Sequence, residues 1–259
     1  MKQLYALMIL VLAIIATPVK ADDKLGVVLM HGKWGTARPS SPIGQLASAL
    51  ENKGFLVSAP DMAWSRNREY DKTFDESMLE IDKAVAELKS KGATKIVVGG
   101  HSIGANAALG YGARRDGLAG ILAIAPGHLP EVSGFQAKLD DDWKRAKKLV
   151  DNGKGSENGE FNDLNQGKQK KVAMKAEVYL SWFDPEGSAV MPTNAANLKP
   201  GTPLLWVVGE KDRMYERGKG YAFRKANANP KNAYVVVKGG HKVTPQKGEP
   251  EIIDWLKRL

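Results

Sequence analysis

Six short apolar runs recur along the sequence, and each is followed by a turn that contains glycine or proline. They lie at residues 24–30, 55–59, 95–99, 118–125, 203–209 and 233–238. Because neighbouring positions within each run are apolar, the runs are typical of strands that are covered on both faces. The sequence therefore predicts a parallel sheet buried between two layers.

Amphipathic helical segments separate these runs. The segment at 73–91 has apolar residues three and four positions apart, and Gly92 follows its end. Strands that alternate with helices predict an α/β fold with a doubly wound, mostly parallel sheet and helices on both faces. The other helices are expected at about 42–53, 103–114, 218–228 and 249–259.

One stretch of the chain interrupts this alternation. Residues 127–171 follow the strand at 118–125, and they are charged and rich in glycine and asparagine, with one expected helix at 140–150. We expect them to form a polar insertion or partial lid over the carboxyl edge of the sheet, where ligands bind in open α/β folds. No linker divides residues 22–259, so a single domain is expected there.

Residues 1–21, MKQLYALMILVLAIIATPVKA, have the parts of a secretory signal peptide. Lys2 precedes an apolar run at 5–16, and Val19 and Ala21 place small residues where cleavage after Ala21 requires them. The run is shorter than the ~20 residues that cross a bilayer, which favours a cleaved signal over a single-span anchor. The protein is expected to be exported, periplasmic or secreted, with no stable membrane anchor after cleavage.

Composition disfavours several classes of function. The formal charge of +9 is scattered and lacks interleaved aromatic residues, so nucleic acid is not an expected partner. The chain has no cysteine, and the fold must therefore be stable without disulfides. It contains neither a HExxH motif nor a nucleotide-binding glycine loop, so no metal and no cofactor are expected. The sequence carries no signal for the oligomeric state.

The run at 95–99 leads directly into Gly100-His101-Ser102-Ile103-Gly104, and an alanine-rich helix follows. A serine in such a turn has a strained backbone, and side chains at the two glycines would collide across it. The helix N-terminus presents free amide groups towards developing negative charge. Ser102 is therefore a candidate nucleophile, and a buried structural hydroxyl is the alternative.

A serine nucleophile needs a base, and an imidazole oriented by a carboxylate suits this role near neutral pH. Of the four histidines, His241 follows two glycines at the end of the last apolar run. Asp212 follows the run at 203–209 and is the favoured acid. Asp184, which comes after another short apolar stretch, is the alternative acid.

With these residues in this order, the sequence resembles the α/β-hydrolase superfamily over nearly the whole mature chain. The matching pieces are LMHG after the first strand, GHSIG after the third, GEKD at 209–212 and GGH at 239–241. The resemblance implies an α/β-hydrolase fold and an exported serine hydrolase that is esterase-like or dienelactone-hydrolase-like. It also implies that Ser102 is the nucleophile, Asp212 the orienting acid and His241 the base.

The same resemblance implies an oxyanion hole built from two backbone amides. One donor is the amide of Ile103, directly after the nucleophile. The other comes from the loop HGKWG at 31–35, with Lys33 as the first choice and Trp34 as the second. The family pattern leaves the role of the Lys33 side chain open.

Three tryptophans are candidates for an aromatic substrate pocket, because they lie in loops or strand ends expected at the carboxyl edge. They are Trp34, Trp64 and Trp182, and packing in the core is their alternative role. The sequence thus predicts a serine hydrolase that cleaves small-molecule carboxylic esters through an acyl-enzyme intermediate. Thioesterase, lipase and peptidase share this machinery and are alternatives, as is a catalytically inactive binding protein on the same fold.

Overall fold

The computed structural model describes residues 24–259 of the chain. The expected signal peptide at 1–21 and its cleavage site lie outside these residues. Within 24–259, no helix combines the length and the apolar character that a membrane span requires.

Eight strands are described, and six of them form one parallel sheet. They are β1 (Leu25–Met30), β2 (Leu56–Ser58), β3 (Lys95–His101), β4 (Gly120–Ile124), β5 (Asn158–Asn165), β6 (Lys168–Lys175), β7 (Leu204–Gly209) and β8 (Ala233–Val237). The order in the sheet is β2-β1-β3-β4-β7-β8. The chain adds β2 on one side of β1 and all later sheet strands on the other. This arrangement confirms the predicted doubly wound parallel sheet.

Ten helices accompany the strands and cover both faces of the sheet. They are α1 (Pro42–Glu51), α2 (Phe74–Ser90), α3 (Ile103–Arg114), α4 (Ser133–Gln136), α5 (Asp140–Asp151), α6 (Ala176–Phe183), α7 (Met191–Ala196), α8 (Arg213–Arg217), α9 (Thr244–Lys247) and α10 (Glu249–Leu256). Val27 and Leu29 of β1 pack in a core shared with α1 and α10, whereas Val28 and Met30 pack in a core shared with α2 and α3. The strands are apolar throughout because alternate side chains enter two different cores.

Local capping explains why the first two helices begin where the sequence indicates. The Ser41 hydroxyl accepts the amide of Gly44 at the start of α1. Thr73 and Glu76 form a reciprocal capping box at the start of α2. Such caps satisfy amides that have no acceptor within the helix.

The insertion at 127–171 is more ordered than its composition suggests. It contains α4, the expected helix as α5, and β5, and it ends within β6. Strands β5 and β6 form an antiparallel hairpin that sequence analysis did not identify. Gln166 and Gly167 form the hairpin turn with φ of 50° and 81°, as a tight turn with two left-handed residues requires. Phe161 pairs with Val172 on the buried face. The exposed lysines of β6 conceal this alternation in the sequence.

The prediction of a helix at 218–228 is wrong. Helix α8 ends before Gly218, whose φ of 66° suits the residue that follows a helix. Only a single 3-10 turn at Phe223–Lys225 follows it. The two nearby glycines, Gly218 and Gly220, interrupt the helical pattern.

Candidate active site

Ser102 occupies the sharp turn between β3 and α3. Its backbone has φ 58° and ψ −119°, a strained conformation for a residue with a side chain. A Cβ on Gly100 would lie 2.6 Å from the carbonyl carbon of Gly104, and a Cβ on Gly104 would lie 2.7 Å from the carbonyl oxygen of Met30. The turn therefore requires glycine at both positions.

Asp212 and His241 are brought together by the segments that follow β7 and β8. The Oδ1 atom of Asp212 accepts the amide of Met214 at 2.9 Å, which caps α8. Its Oδ2 atom accepts from Nδ1 of His241 at 2.8 Å. Because both carboxylate oxygens are held by N–H donors, the imidazole orientation is fixed with the proton on Nδ1. The Nε2 atom is then left as a proton acceptor.

A cavity of about 470 Å³ opens at the carboxyl edge of the sheet, and Ser102, Asp212 and His241 lie in its wall. Gly127 lies beside both the serine and the imidazole, since a Cβ there would be 2.7 Å from Ser102 Oγ and 3.5 Å from Cε1 of His241. Within residues 24–259 the Ser102 hydroxyl has no hydrogen-bond partner. A side chain at position 127 would fill the space beside that hydroxyl, and glycine leaves it open.

Asp184, the alternative acid, lies in a different setting. It follows α6, and its Oδ1 atom accepts the backbone amide of Glu186 at 3.1 Å. Among the described residues no histidine is hydrogen-bonded to it. Asp184 shapes a turn, as Asp residues before proline often do.

The loop after β1 packs directly against the serine turn. A Cβ on Gly32 would lie 3.3 Å from the Cβ of Ser102. The Trp34 amide donates to the Trp64 carbonyl at 3.0 Å, and Trp34 has φ 55°. The Lys33 amide, by contrast, has no acceptor in the described part of the chain.

The side chain of Lys33 is buried. Its Nζ atom donates to Oδ1 of Asp163 at 2.5 Å, to the Leu164 carbonyl at 3.0 Å and to Nδ1 of His128 at 3.1 Å, so each ammonium proton has an acceptor. Asp163 is also fully buried, and its Oδ2 atom accepts from the Tyr70 hydroxyl at 3.2 Å. One ammonium thus joins the loop after β1, the segment after β4 and strand β5.

Burial sets the protonation states of this cluster. Burial lowers the pKa of Lys33, while the Asp163 carboxylate opposes that shift. Burial and the Lys33 charge hold the pKa of His128 well below its ordinary value, and its Nε2 atom donates to the Trp182 carbonyl at 2.6 Å. Burial and Asp163 hold the pKa of Tyr70 well above its ordinary value. His128 and Tyr70 are therefore neutral neighbours of the Lys33–Asp163 ion pair.

Two further histidines form hydrogen bonds with the backbone near the site. His101 Nε2 donates to the carbonyl of His241 at 2.9 Å, and the two ring centroids are 4.8 Å apart. Burial, reinforced by neighbouring His241, lowers the pKa of His101 to about 3. His31 Nε2 accepts the Met62 amide at 3.1 Å, and burial lowers its pKa as well. Both rings are therefore neutral near pH 7.

The three tryptophans expected in a substrate pocket occupy different environments. Trp64 and Trp182 are fully buried in the core with ring centroids 5.3 Å apart, and neither lines a cavity at Ser102. The pocket role expected for these two residues is wrong, because the large rings fill the space behind the site. Trp34 does line a second cavity of about 390 Å³, which also includes Ser102 and His241.

Sequence analysis missed the residues that surround the Lys33 ammonium. Asp163 stands in the polar stretch NGEFNDLN, where nothing distinguishes a buried carboxylate from an exposed one. A buried acid on the inner face of a strand requires a counter-charge, but Lys33 lies 130 positions away along the chain. Within residues 24–259, no group of three or more His, Asp and Glu side chains is arranged to hold a metal ion.

The site and the fold together define a protein of the α/β-hydrolase type: a strained serine after the third strand faces a cavity with a hydrogen-bonded Asp–His pair. The model of the alpha/beta hydrolase family matches residues 27–252. The chain belongs to the α/β hydrolase family.

Solved structures show the same fold. The chain is 23% identical to a monoacylglycerol lipase from Paleococcus ferrophilus, with a TM-score of 0.63 over 89% of this chain and 93% of the lipase. A thermostable carboxyl esterase from Bacillus coagulans is 14% identical, with a TM-score of 0.63 over 93% and 92% of the two chains. Est1E from Butyrivibrio proteoclasticus is 17% identical, with a TM-score of 0.58 over 92% and 88%. No curated protein matches the chain at a significant level.

Breaking the buried ion pair should destabilise the protein strongly. Asp163→Asn leaves the Lys33 ammonium without a counter-charge, and the free energy of unfolding should fall by about 3–5 kcal/mol in urea denaturation. Lys33→Met should lower the free energy of unfolding by a similar amount. The double variant Lys33→Met/Asp163→Asn should lower it by less than the sum of the two single changes, because it removes both charges.

An exposed ion pair provides the matched control. Lys147 and Asp151 lie 2.9 Å apart on the surface of α5, and Asp151→Asn should change stability little because water screens the pair. If the double variant loses as much free energy of unfolding as the two single variants together, Lys33 and Asp163 are not coupled.

Acid should destabilise the fold below pH 6.5 because of its buried neutral histidines. His101 and His128 have lowered pKa values in the folded chain and ordinary values near 6.5 in the unfolded chain. As pH falls below 6.5, the unfolded chain therefore binds protons that the folded chain does not. Each histidine should lower the free energy of unfolding by about 2 kcal/mol between pH 7 and pH 5.

Denaturant unfolding at several pH values measures this slope. His101→Asn keeps an N–H donor in place of the ring and should reduce the proton uptake on unfolding by one. A stability that stays constant from pH 6.5 to pH 5 would be incompatible with neutral buried histidines.

Proposed function

We propose that the protein is a serine hydrolase that cleaves carboxylic esters with Ser102, His241 and Asp212 as its catalytic residues. The single observation that carries the proposal is the 2.8 Å hydrogen bond from His241 to Asp212, in the wall of the cavity that Ser102 faces. Asp212 lies in this position and Asp184 does not, which supports Asp212 as the acid.

The geometry suggests a role for each group. His241 Nε2 accepts the proton of Ser102 as the hydroxyl attacks the acyl carbon, and then returns it to the leaving alcohol. Asp212 holds the imidazole in the required tautomer and stabilises the imidazolium. Water then releases the acyl group from Ser102 by the same sequence of proton transfers, and the free enzyme is restored.

Two backbone amides are suited to stabilise the tetrahedral oxyanion. Ile103 is the first residue of α3, where an amide has no acceptor within the helix. The Lys33 amide also has no acceptor within residues 24–259, whereas the Trp34 amide donates to the Trp64 carbonyl. These contacts support Ile103 and Lys33 as the oxyanion donors, with Trp34 no longer favoured.

The names of the structural neighbours favour an ester among possible acyl substrates. They include a monoacylglycerol lipase, a carboxyl esterase and Est1E, for which a structure with bound ferulic acid exists. An ester also has a better leaving group than an amide. The sequence pattern at 1–21, which is typical of a signal peptide, supports action outside the cytoplasm, in the periplasm or the medium.

Active-site labelling tests the nucleophile. A fluorophosphonate probe should label the purified protein at one residue, Ser102, and the Ser102→Ala variant should remain unlabelled. Mass spectrometry of the labelled peptide identifies the site. A wild-type protein that the probe does not label would instead favour a binding protein on a hydrolase fold.

Two Asp→Asn substitutions test the acid. Asp212→Asn should lower kcat on a 4-nitrophenyl ester by about 10⁴-fold, because the imidazole loses its orienting carboxylate. Asp184→Asn is the matched control and should lower kcat far less, since this side chain only shapes a turn. The reverse order of effects would rule out the proposed assignment of Asp212.

A further inference from the structure

The groove around Ser102 has two arms. The cavities of about 470 and 390 Å³ share Ser102, His241 and Lys33, and the hairpin residues Asn165 and Gln166 lie in the walls of both. We call the two cavities together the active-site groove. An ester bound at Ser102 would extend into one arm on its acyl side and into the other on its alcohol side.

Positive charge dominates this groove. Five cationic side chains line it without an ion-pair partner among residues 24–259: Lys138, Arg213 and Arg217 in the larger arm, and Arg66 and Lys242 in the smaller arm. Of the carboxylates that line it, Asp212 is held by His241, and only Glu216 is unpaired. A cleft lined by one sign of charge attracts ligands of the opposite sign.

The two arginines of α8 are the best placed of these cations. Arg213 and Arg217 are four residues apart on one helix, so their side chains extend from the same face. The Nη1 atom of Arg213 lies 3.7 Å from the position of a Cβ on Gly167, which brings the guanidinium to the hairpin turn. The guanidinium of Arg217 lies 5.5 Å from the centre of the Tyr221 ring. A guanidinium binds carboxylate or phosphate oxygens through two parallel hydrogen bonds.

Apolar residues line another part of the larger arm. Leu129, Val132 and Phe135 come from the insertion and Met214 from α8. A ligand that fits this arm therefore needs an apolar segment and an anionic group. A purely aliphatic acyl chain would leave the arginines without a partner.

We propose that the acyl part of the ester lies in the larger arm and ends in an anionic group, which Arg213 and Arg217 bind. The shared chemistry of that group is a carboxylate or a phosphate oxyanion. The inference rests on the proposed function, because the ester must reach Ser102. The two arginines select the substrate, and the apolar wall accommodates the chain between the anion and the scissile carbonyl.

Two matched aryl esters test this inference. The 4-nitrophenyl ester of hexanoate is neutral, and the mono-4-nitrophenyl ester of adipate has the same acyl length but ends in a carboxylate. The kcat/KM for the adipate ester should exceed that for the hexanoate ester about tenfold at low salt, and added salt should reduce the ratio. A third ester with a terminal phosphonate distinguishes phosphate from carboxylate recognition.

The ratio between the two esters isolates charge recognition from folding. The double variant Arg213→Gln/Arg217→Gln should bring the ratio close to one, whereas a loss of active protein would lower both rates equally. Arg224→Gln, on the exposed turn Phe223–Lys225 outside the groove, removes a like charge and should keep the ratio. The inference is overturned if the wild-type protein has nearly equal kcat/KM values for the two esters. It is also overturned if the double variant keeps the wild-type ratio of these values.

Binding to Ser102→Ala separates this inference from the proposed function. Monoethyl adipate should bind this variant about tenfold more tightly than ethyl hexanoate in calorimetric titration, and equal affinities would overturn the inference. If the fluorophosphonate probe labels Ser102 but no anion preference appears, only the inference fails. If the probe does not label Ser102, the proposed function fails, and the inference that rests on it fails with it.

Discussion

The close approach of three backbone segments at Ser102 is the constraint on which the site depends. Met30 and Gly100 are paired across the central strands β1 and β3, and Gly104 packs so tightly that a Cβ would meet the Met30 carbonyl oxygen at 2.7 Å. The Ser102 amide donates to the Ile124 carbonyl at 3.0 Å, which adds β4 to the arrangement. Three adjacent strands therefore determine where the hydroxyl lies. A site placed at the carboxyl ends of central strands is held more rigidly than one built on loops alone.

The Lys33 ammonium is one of the groups that attach the insertion to this edge of the sheet, together with the Asn106 amide, which donates to the His128 carbonyl. Lys33 lies in the loop next to the serine turn, and its side chain binds Asp163 and the Leu164 carbonyl of β5 as well as His128. Burying a lone ammonium would be costly, and the cost is offset because three acceptors surround it and a carboxylate balances its charge. The backbone of Lys33 and the position of the hairpin are thus coupled. The hairpin turn at Gln166 in turn forms a wall of both arms of the groove.

The sheet and the serine turn could be predicted from the sequence because their signals are local. Each strand is a continuous apolar run, and the glycines around Ser102 are required by contacts within a few residues and one neighbouring strand. The hairpin could not be predicted, because the exposed residues Lys168, Lys170 and Lys171 make the start of β6 resemble a solvated loop. The burial of Trp64 and Trp182 could not be predicted either, since a position near a strand end does not reveal which side chains cover it. The ion pair of Lys33 with Asp163 joins residues far apart in sequence, and no local pattern predicts it.

The structure uses positive charge near Ser102 in two physically different ways. Lys33 is buried, and its three protons and its charge are satisfied by the protein, so it contributes little to the field in the groove. His101 and His128 are kept neutral by burial, so they add no charge either. The net positive charge of the groove therefore comes from the lining cations that have no ion-pair partner among residues 24–259, Arg213 and Arg217 included. Neutral imidazoles in the interior thus leave the guanidiniums of Arg213 and Arg217 among the main charges in the wall of the larger arm.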